Sequence, residues 1–286
     1  MIRTLTLALF AFAGTAQAGD MRVSQPWLAA HAQDSDLVLL HVGDKGRYKK
    51  KHIPGARHVD LDDISVEAGG LSLQMPAPAD LKARLEKLGI SDRSRVVVYY
   101  DEDWVSPATR VVFTLYAAGL GERVSLLDGG LTHWKGAVSD KAPAVTAGRL
   151  SELRMLPVVV DHGFVQAHLK APGYDIIDAR AAMFYDGLHA GGPMGHQKKG
   201  HIPGAKNLPF SSFNNDDLTL KTTAQFKALF AAAGVKPGDK VIVYCHIGQQ
   251  ATEVLFAARE AGVDAVLYDG SFEDWALRNA PVTTDK

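Results

Sequence analysis

The chain has 286 residues, 47% of them hydrophobic and 22% charged, with a formal net charge of -1. Such a length suits about two domains, and near-neutrality leaves no electrostatic footprint for nucleic acid or an acidic membrane surface. A single cysteine, Cys245, excludes any intramolecular disulfide.

Residues 1–18 read as a secretory signal peptide: Arg3, an apolar stretch from Leu5 to Ala13, then Ala16 and Ala18 in A-x-A spacing. The stretch is shorter than the ~20 apolar residues a bilayer span needs. The mature chain is therefore expected to begin near Gly19, exported, periplasmic and off the membrane. Three landmarks then occur twice in the same order. KKKHIPGARHVDL (Lys49 to Leu61) returns as QKKGHIPGAKNLP (Gln197 to Pro209), VVVYYD (Val96 to Asp101) as VIVYCH (Val241 to His246), and LLDGGLTHW (Leu126 to Trp134) as LYDGSFEDW (Leu267 to Trp275). A repeat this long is a duplicated domain rather than a solenoid unit. The expected boundaries are a first domain over 19–140, a linker over 141–156 and a second domain over 157–286. Small residues and bracketing prolines mark the linker.

In the second half, YDIID (Tyr174 to Asp178) reads as a strand and Thr222 to Gly234 as a helix that threonines open and glycine closes. VIVY (Val241 to Tyr244) is continuously apolar and β-branched, the pattern of a strand buried on both faces. A helix follows from about Gln250 to Gly262, then a strand at Ala265 to Asp269. This alternation implies an α/β fold in which each half is a mostly parallel sheet flanked by helices. Ligands in such sheets bind beyond the carboxyl ends of the strands, where Cys245 sits.

Strand, cysteine, glycine loop and helix start form a defined chemical setting. Gly248 permits a tight turn in which successive N–H groups point inward, and the helix from Gln250 adds its positive end. Cysteines in such surroundings have pKa values lowered to ~3.5–7.5, so a reactive thiolate is expected at Cys245. The first half carries Tyr100 at the matching position, so one repeat is read as reactive and the other as supporting. Asp178 and Arg180 correspond in the same way to His41 and Gly43. His52 and His201 are expected to fix turns, and Trp134 and Trp275 to plug cores.

The ordered set of HIPGA in both halves, DAR (Asp178 to Arg180), VIVYC with its short loop, and DGG/DGS before HW/DW resembles the tandem-domain rhodanese family of sulfurtransferases. The resemblance implies two rhodanese-like domains and an active loop of Cys245, His246, Ile247, Gly248, Gln249, Gln250 and Ala251. It implies that Cys245 takes the outer sulfur of a donor such as thiosulfate and passes it, as a persulfide, to a thiophilic acceptor such as cyanide or a thiol. Neither cofactor nor metal is required. Asp178 and Arg180 are then loop supports.

The chain departs from the family where anions bind. Basic side chains that thiosulfate-using members carry after the cysteine are His246 and Ile247 here, and an arginine four residues beyond the DAR arginine is Phe184. Each missing charge-assisted hydrogen bond removes roughly 1.5–3 kcal/mol of anion binding. The loop also differs from the serine-containing loop of mercaptopyruvate-using members, so either donor remains open. About 12 extra residues separate DAR from HIPGA in the second half; Lys198 and Lys199 in this insert are candidates to restore positive charge. The alternative is an ordinary solvated stretch, and a metal site from His189, His196 and His201 is a weaker reading. A phosphatase lacks its loop arginine, and a cysteine hydrolase lacks an orienting third residue. A persulfide relay module acting with a protein partner remains the alternative.

Overall fold

The computed structural model describes residues 20–101, 104–192, 195 and 197–284; the leader expected at 1–18 lies outside them. The first half runs β1 (Arg22–Val23), α1 (Gln25–His31), β2 (Leu37–Val42), α2 (Lys45–Tyr48), β3 (Arg57–Val59), hairpin strands β4 (Val66–Ala68) and β5 (Leu71–Gln74), α3 (Pro78–Lys87), β6 (Arg95–Tyr100), α4 (Ser106–Leu115) and β7 (Val124–Leu127). The second runs β8 (Val159–Val160), α5 (His162–His168), β9 (Tyr174–Asp178), α6 (Ala182–Tyr185), β10 (Lys206–Asn207), α7 (Thr223–Ala232), β11 (Lys240–Tyr244), α8 (Ala251–Ala261), β12 (Asp264–Tyr268) and α9 (Ser271–Leu277). Each half builds a five-stranded parallel sheet, in the orders β1-β7-β6-β2-β3 and β8-β12-β11-β9-β10. The two orders match strand for strand, so the sequence repeat is also a repeat of topology.

Local chemistry explains the elements. The helix read over 222–234 is α7, opened by a capping box in which Thr222 and Gln225 satisfy each other's backbone N–H groups. Helix α8 ends on Gly262 in the left-handed conformation. The apolar cores of β6 and β11 are buried because helices cover both faces of each sheet.

The ladders place Tyr99 opposite His41 and Tyr244 opposite Asp178. One residue further on, Tyr100 and Cys245 occupy matching strand ends. The HIPGA histidines behave alike in both halves. His52 stacks on Tyr48 and bonds its carbonyl, and His201 does the same with Tyr185. Each also pairs with an incoming segment through two backbone hydrogen bonds, His52 with Ser139 and His201 with Thr283. Trp275 is buried, as a core plug should be. Trp134 is only half-buried, because its indole turns outward to donate to the Ala137 carbonyl.

The segment expected as a linker has no regular element but is stitched to the first sheet domain. Gly148 N–H donates to the Glu86 carbonyl at 2.7 Å, Leu150 N–H to Glu86 Oε1 at 2.8 Å, and Ser151 N–H to Asp92 Oδ1 at 2.9 Å. The two halves share one apolar cluster that includes Val98, Tyr100 and Leu115 from the first and Val243, Cys245, Val254 and Ala258 from the second. Helices α4 and α8 form the seam, where the Thr109 and Thr252 hydroxyls meet at 3.0 Å. Arg22 and Glu260 close its flank with an ion pair at 2.5 Å.

Candidate active site

Cys245 ends β11 with no solvent exposure. The backbone N–H groups of Ala251, Ile247, Gly248 and Gln250 surround its Sγ and favour its charged form. The expected nest therefore exists, and the start of α8 contributes to it. Backbone anchors hold the cysteine: Cys245 N–H donates to Ser271 Oγ at 3.2 Å, and the Cys245 and His246 carbonyls accept from Phe272 and Glu273 at 3.0 Å each. Ser271 itself adopts φ 51°, a left-handed conformation that costs a non-glycine residue of order 1–3 kcal/mol.

The thiol does not have the lowered pKa that the sequence predicts. Burial pushes the Cys245 thiol up, and the four loop N–H groups pull it down by less. Removing the sulfur from water disfavours the thiolate more than the amides favour it. The cradle is thus better matched to an anion that reaches out of the protein interior.

Gly248 is fixed by φ +83° and by space, because a Cβ there would lie 2.8 Å from the Asp269 carbonyl oxygen and 3.1 Å from Arg110 Nη1. Arg110 comes from α4 of the first half. Its side chain is fully buried and donates to Asp269 Oδ1 at 2.8 Å, to the Gly248 carbonyl at 3.1 Å and to the Leu73 carbonyl. Gln249 Nε2 donates across the same seam to Ser106 Oγ at 3.1 Å. The half without a cysteine therefore holds the loop of the half that has one. Sequence reasoning passed over Arg110; its signal was a lone charge inside the apolar run of α4.

Asp178 and Arg180 form a fully buried pair at 2.6 Å, with Tyr244 donating to Asp178 Oδ2 at 2.7 Å. Arg180 also lies 3.9 Å over the Phe272 ring and donates to the Gly200 carbonyl at 2.7 Å. The sequence reading had Arg180 support the loop directly. Its guanidinium ties the end of β9 to the insert through the Gly200 carbonyl, and it packs on Phe272, whose backbone N–H holds the Cys245 carbonyl.

A pocket of about 530 Å³ opens over Cys245, walled by Trp104, Phe184, the glycines of the insert, His246, Ile247, Gln249 and Gln250. No lysine or arginine lines it among the described residues. Lys198 and Lys199 do not approach: Lys198 donates to the Ala280 carbonyl at 3.0 Å, and Lys199 is exposed. Of the three histidines read as a weak metal set, His201 is committed to its turn and His196 lies outside the described residues. His246 supplies no cation either. Burial first and nearby Arg180 second lower its pKa to about 4, with Asp178 opposing them more weakly.

The insert reaches the active loop through an unpredicted residue. Gln197 Nε2 donates to the His246 carbonyl at 2.8 Å while its Oε1 meets His246 Nδ1 at 2.9 Å. Phe184 meets the same imidazole edge-on at 4.7 Å between centroids. Gly191 must be glycine, since a Cβ there would lie 2.0 Å from His246 Cε1.

A parallel α/β sheet with an amide-cradled cysteine at a strand end defines a class of nucleophile-bearing proteins. The chain belongs to the family of the rhodanese-like domain, whose model matches residues 24–137 and 162–278. It is 30% identical to the 3-mercaptopyruvate sulfurtransferase of Escherichia coli (strain K12), over 90% of this chain and 95% of that one. It is 26% identical to the thiosulfate sulfurtransferase of Bos taurus, over 82% and 81%. Among solved structures, SseA from Escherichia coli, a 3-mercaptopyruvate sulfotransferase of rhodanese fold, matches with TM-score 0.78 and 28% identity over 88% of this chain and 98% of that one.

Proposed function

We propose that the protein is a sulfurtransferase in which Cys245 carries sulfane sulfur as a persulfide. The observation that carries this reading is the placement of Cys245, buried between the end of β11 and the start of α8, with four loop N–H groups around it that favour a charge on its sulfur. The Cys245 thiolate attacks the outer sulfur of the donor; with thiosulfate, the S–S bond breaks and sulfite leaves with its electron pair. A nucleophile then takes the outer sulfur and Sγ regains its electrons. Thiolate attack on sulfur needs a good leaving group and neither a metal nor a bound cofactor. The persulfide extends the negative charge one atom outward from the buried Sγ, towards the loop amides and the pocket. Relatives named for thiosulfate and for 3-mercaptopyruvate support both donors.

In this reading His246, Ile247, Gly248, Gln249, Gln250 and Ala251 shape the sulfur site, Asp178 and Arg180 brace its surroundings, and Phe184 walls the pocket. The first domain (19–140), joined by 141–156 to the catalytic domain (157–286), supports the loop. The reading also includes export to the periplasm after cleavage of residues 1–18, which N-terminal sequencing of the secreted protein checks.

Intact mass after incubation with thiosulfate or 3-mercaptopyruvate tests the chemistry. A gain of one sulfur atom in the wild type, absent in Cys245→Ala and removed by cyanide, is expected. A wild-type protein that stays unmodified with both donors, while an alkylating agent still labels Cys245, refutes turnover on these donors. The absence of lysine and arginine from the described pocket lining favours one second reading, a relay module loaded by a partner protein. That reading predicts sulfur uptake with little steady-state turnover on small molecules.

A further inference from the structure

The Gln197 contacts settle a proton position. A backbone carbonyl only accepts, so the Gln197 amide nitrogen must face the His246 carbonyl, and Oε1 must face Nδ1. Oε1 also only accepts, so Nδ1 carries the ring proton. In the neutral ring Nε2 is then a bare acceptor. Nε2 has no hydrogen-bond partner among the described residues, and it is not among the buried polar atoms sealed from solvent. His246 lines the pocket over Cys245, with Trp104 and Phe184 as its other large walls. Met183 and Leu188, on either side of Phe184 in the insert, are exposed by 47% and 64%, as is Trp104 by 48%. An open lone pair and aromatic walls, with no lysine or arginine among the described lining residues, suit a ligand that brings its own proton and no negative charge.

We propose that the Gln197–His246 pair makes this pocket select a neutral thiol as sulfur acceptor, its S–H donated to His246 Nε2 and its body set between Trp104 and Phe184. The inference rests on the persulfide reading. In the transfer step the acceptor sulfur bonds to the outer sulfur of the Cys245 persulfide anion. The Sγ–S bond breaks, its electron pair stays on Sγ, and the acceptor's proton ends on the transferred sulfur. Cys245–S–S⁻ and R–SH thus become Cys245–S⁻ and R–S–SH, with charge and atoms conserved. His246 is a positioning residue: it holds the proton-bearing thiol and turns away an anionic one.

Two measurements test this. In protein labelled with ¹⁵N-histidine, with His246 assigned by the loss of its signal in His246→Asn, the ring should be neutral and protonated at Nδ1 at pH 7. A ring protonated at Nε2, alone or as imidazolium, overturns the proposal without reference to activity. Protein loaded with sulfur by inorganic polysulfide and desalted is then discharged in single turnovers by 2-mercaptoethanol or by mercaptoacetate. We expect wild type to favour the neutral thiol at least about tenfold beyond the ratio these thiols show towards a small-molecule disulfide. In Gln197→Glu a carboxylate beside Nδ1 favours the imidazolium, which turns Nε2 into a donor, and the preference should shrink or reverse. Loading with no such preference in wild type, or the same preference in a folded Gln197→Glu protein, overturns the proposal and leaves the persulfide reading intact. Failure to load, with Cys245 reduced, overturns both.

Discussion

Replacing Arg110 by methionine is the sharpest test of the claim that the first half holds the active loop. The side chain is fully buried, and three acceptors lose their donor: Asp269 Oδ1 and the carbonyls of Gly248 and Leu73. The carboxylate dominates. Asp269 is 5% exposed and keeps the Met75 N–H on Oδ2 at 2.7 Å, which does not replace a guanidinium. Breaking a buried ion pair from one side costs about 3–5 kcal/mol, a large part of the ~5–15 kcal/mol that keeps a domain folded. Denaturant unfolding of Arg110→Met should show a loss of that size. The loop should also open locally, because its Gly248 carbonyl is released. If 3 kcal/mol of the loss falls on loop opening, alkylation of Cys245 by iodoacetamide under native conditions rises about 100-fold, at tenfold per 1.4 kcal/mol. The double variant Arg110→Met, Asp269→Asn should recover part of the stability, since neither charge is then left alone. A loss under about 1 kcal/mol with unchanged alkylation would refute the argument, and Arg110 would be only a seam residue.

Three further predictions come from single groups. Gly248→Ala places a methyl 2.8 Å from the Asp269 carbonyl at φ +83°; it should lower the melting temperature and slow sulfur uptake, and wild-type values for both would show that the loop has room to shift. Glu253, buried in α8, has its pKa raised by burial from 4.5 to about 8. It stays protonated in the folded chain while its unfolded counterpart ionises, so its contribution is full below pH 4.5 and is lost as pH rises to about 8. The stability difference between Glu253→Gln and wild type should therefore grow in the variant's favour by about 1.4 kcal/mol per pH unit across that window, and a flat difference in denaturant titrations would contradict it. Finally, the alkylation rate of Cys245 should rise with pH to a midpoint above that of an unhindered cysteine, because burial outweighs the loop amides; a midpoint below it would reverse that ranking.

Much of this architecture is legible in the chain because it depends on local pattern. The β-branched run at 241–244 predicts a doubly covered strand. The duplicated landmarks predict two sheets, and the pairing of Tyr100 with Cys245 follows from counting along them. The position of the loop and the need for glycine at 248 are equally local. What the sequence hid is set by partners far along the chain. Arg110 reaches Gly248 across 138 positions, and Gln197 reaches His246 across 49, contacts that leave no periodicity. Lys198 looks available for anions because its place in the insert suggests that it overhangs the cysteine, whereas its ammonium is spent on the Ala280 carbonyl. The Cys245 thiol was misjudged for a different reason. A turn pattern announces its amide donors, but only packing from both halves determines how completely the sulfur is removed from water.

The pairing of Thr283 with His201 bears on how the protein should be handled. Thr283 exchanges two backbone hydrogen bonds with His201, the methyl of Thr284 fits against Gly187 and Gly200, and the Ala280 carbonyl anchors Lys198. These residues frame the same insert whose Gln197 grips His246. Trimming the chain before residue 283, or fusing a rigid tag directly after 284, would loosen the pocket wall from behind while leaving every wall residue in place. An affinity handle on the amino-terminal side is the safer choice, and a carboxyl-terminal one calls for a flexible spacer.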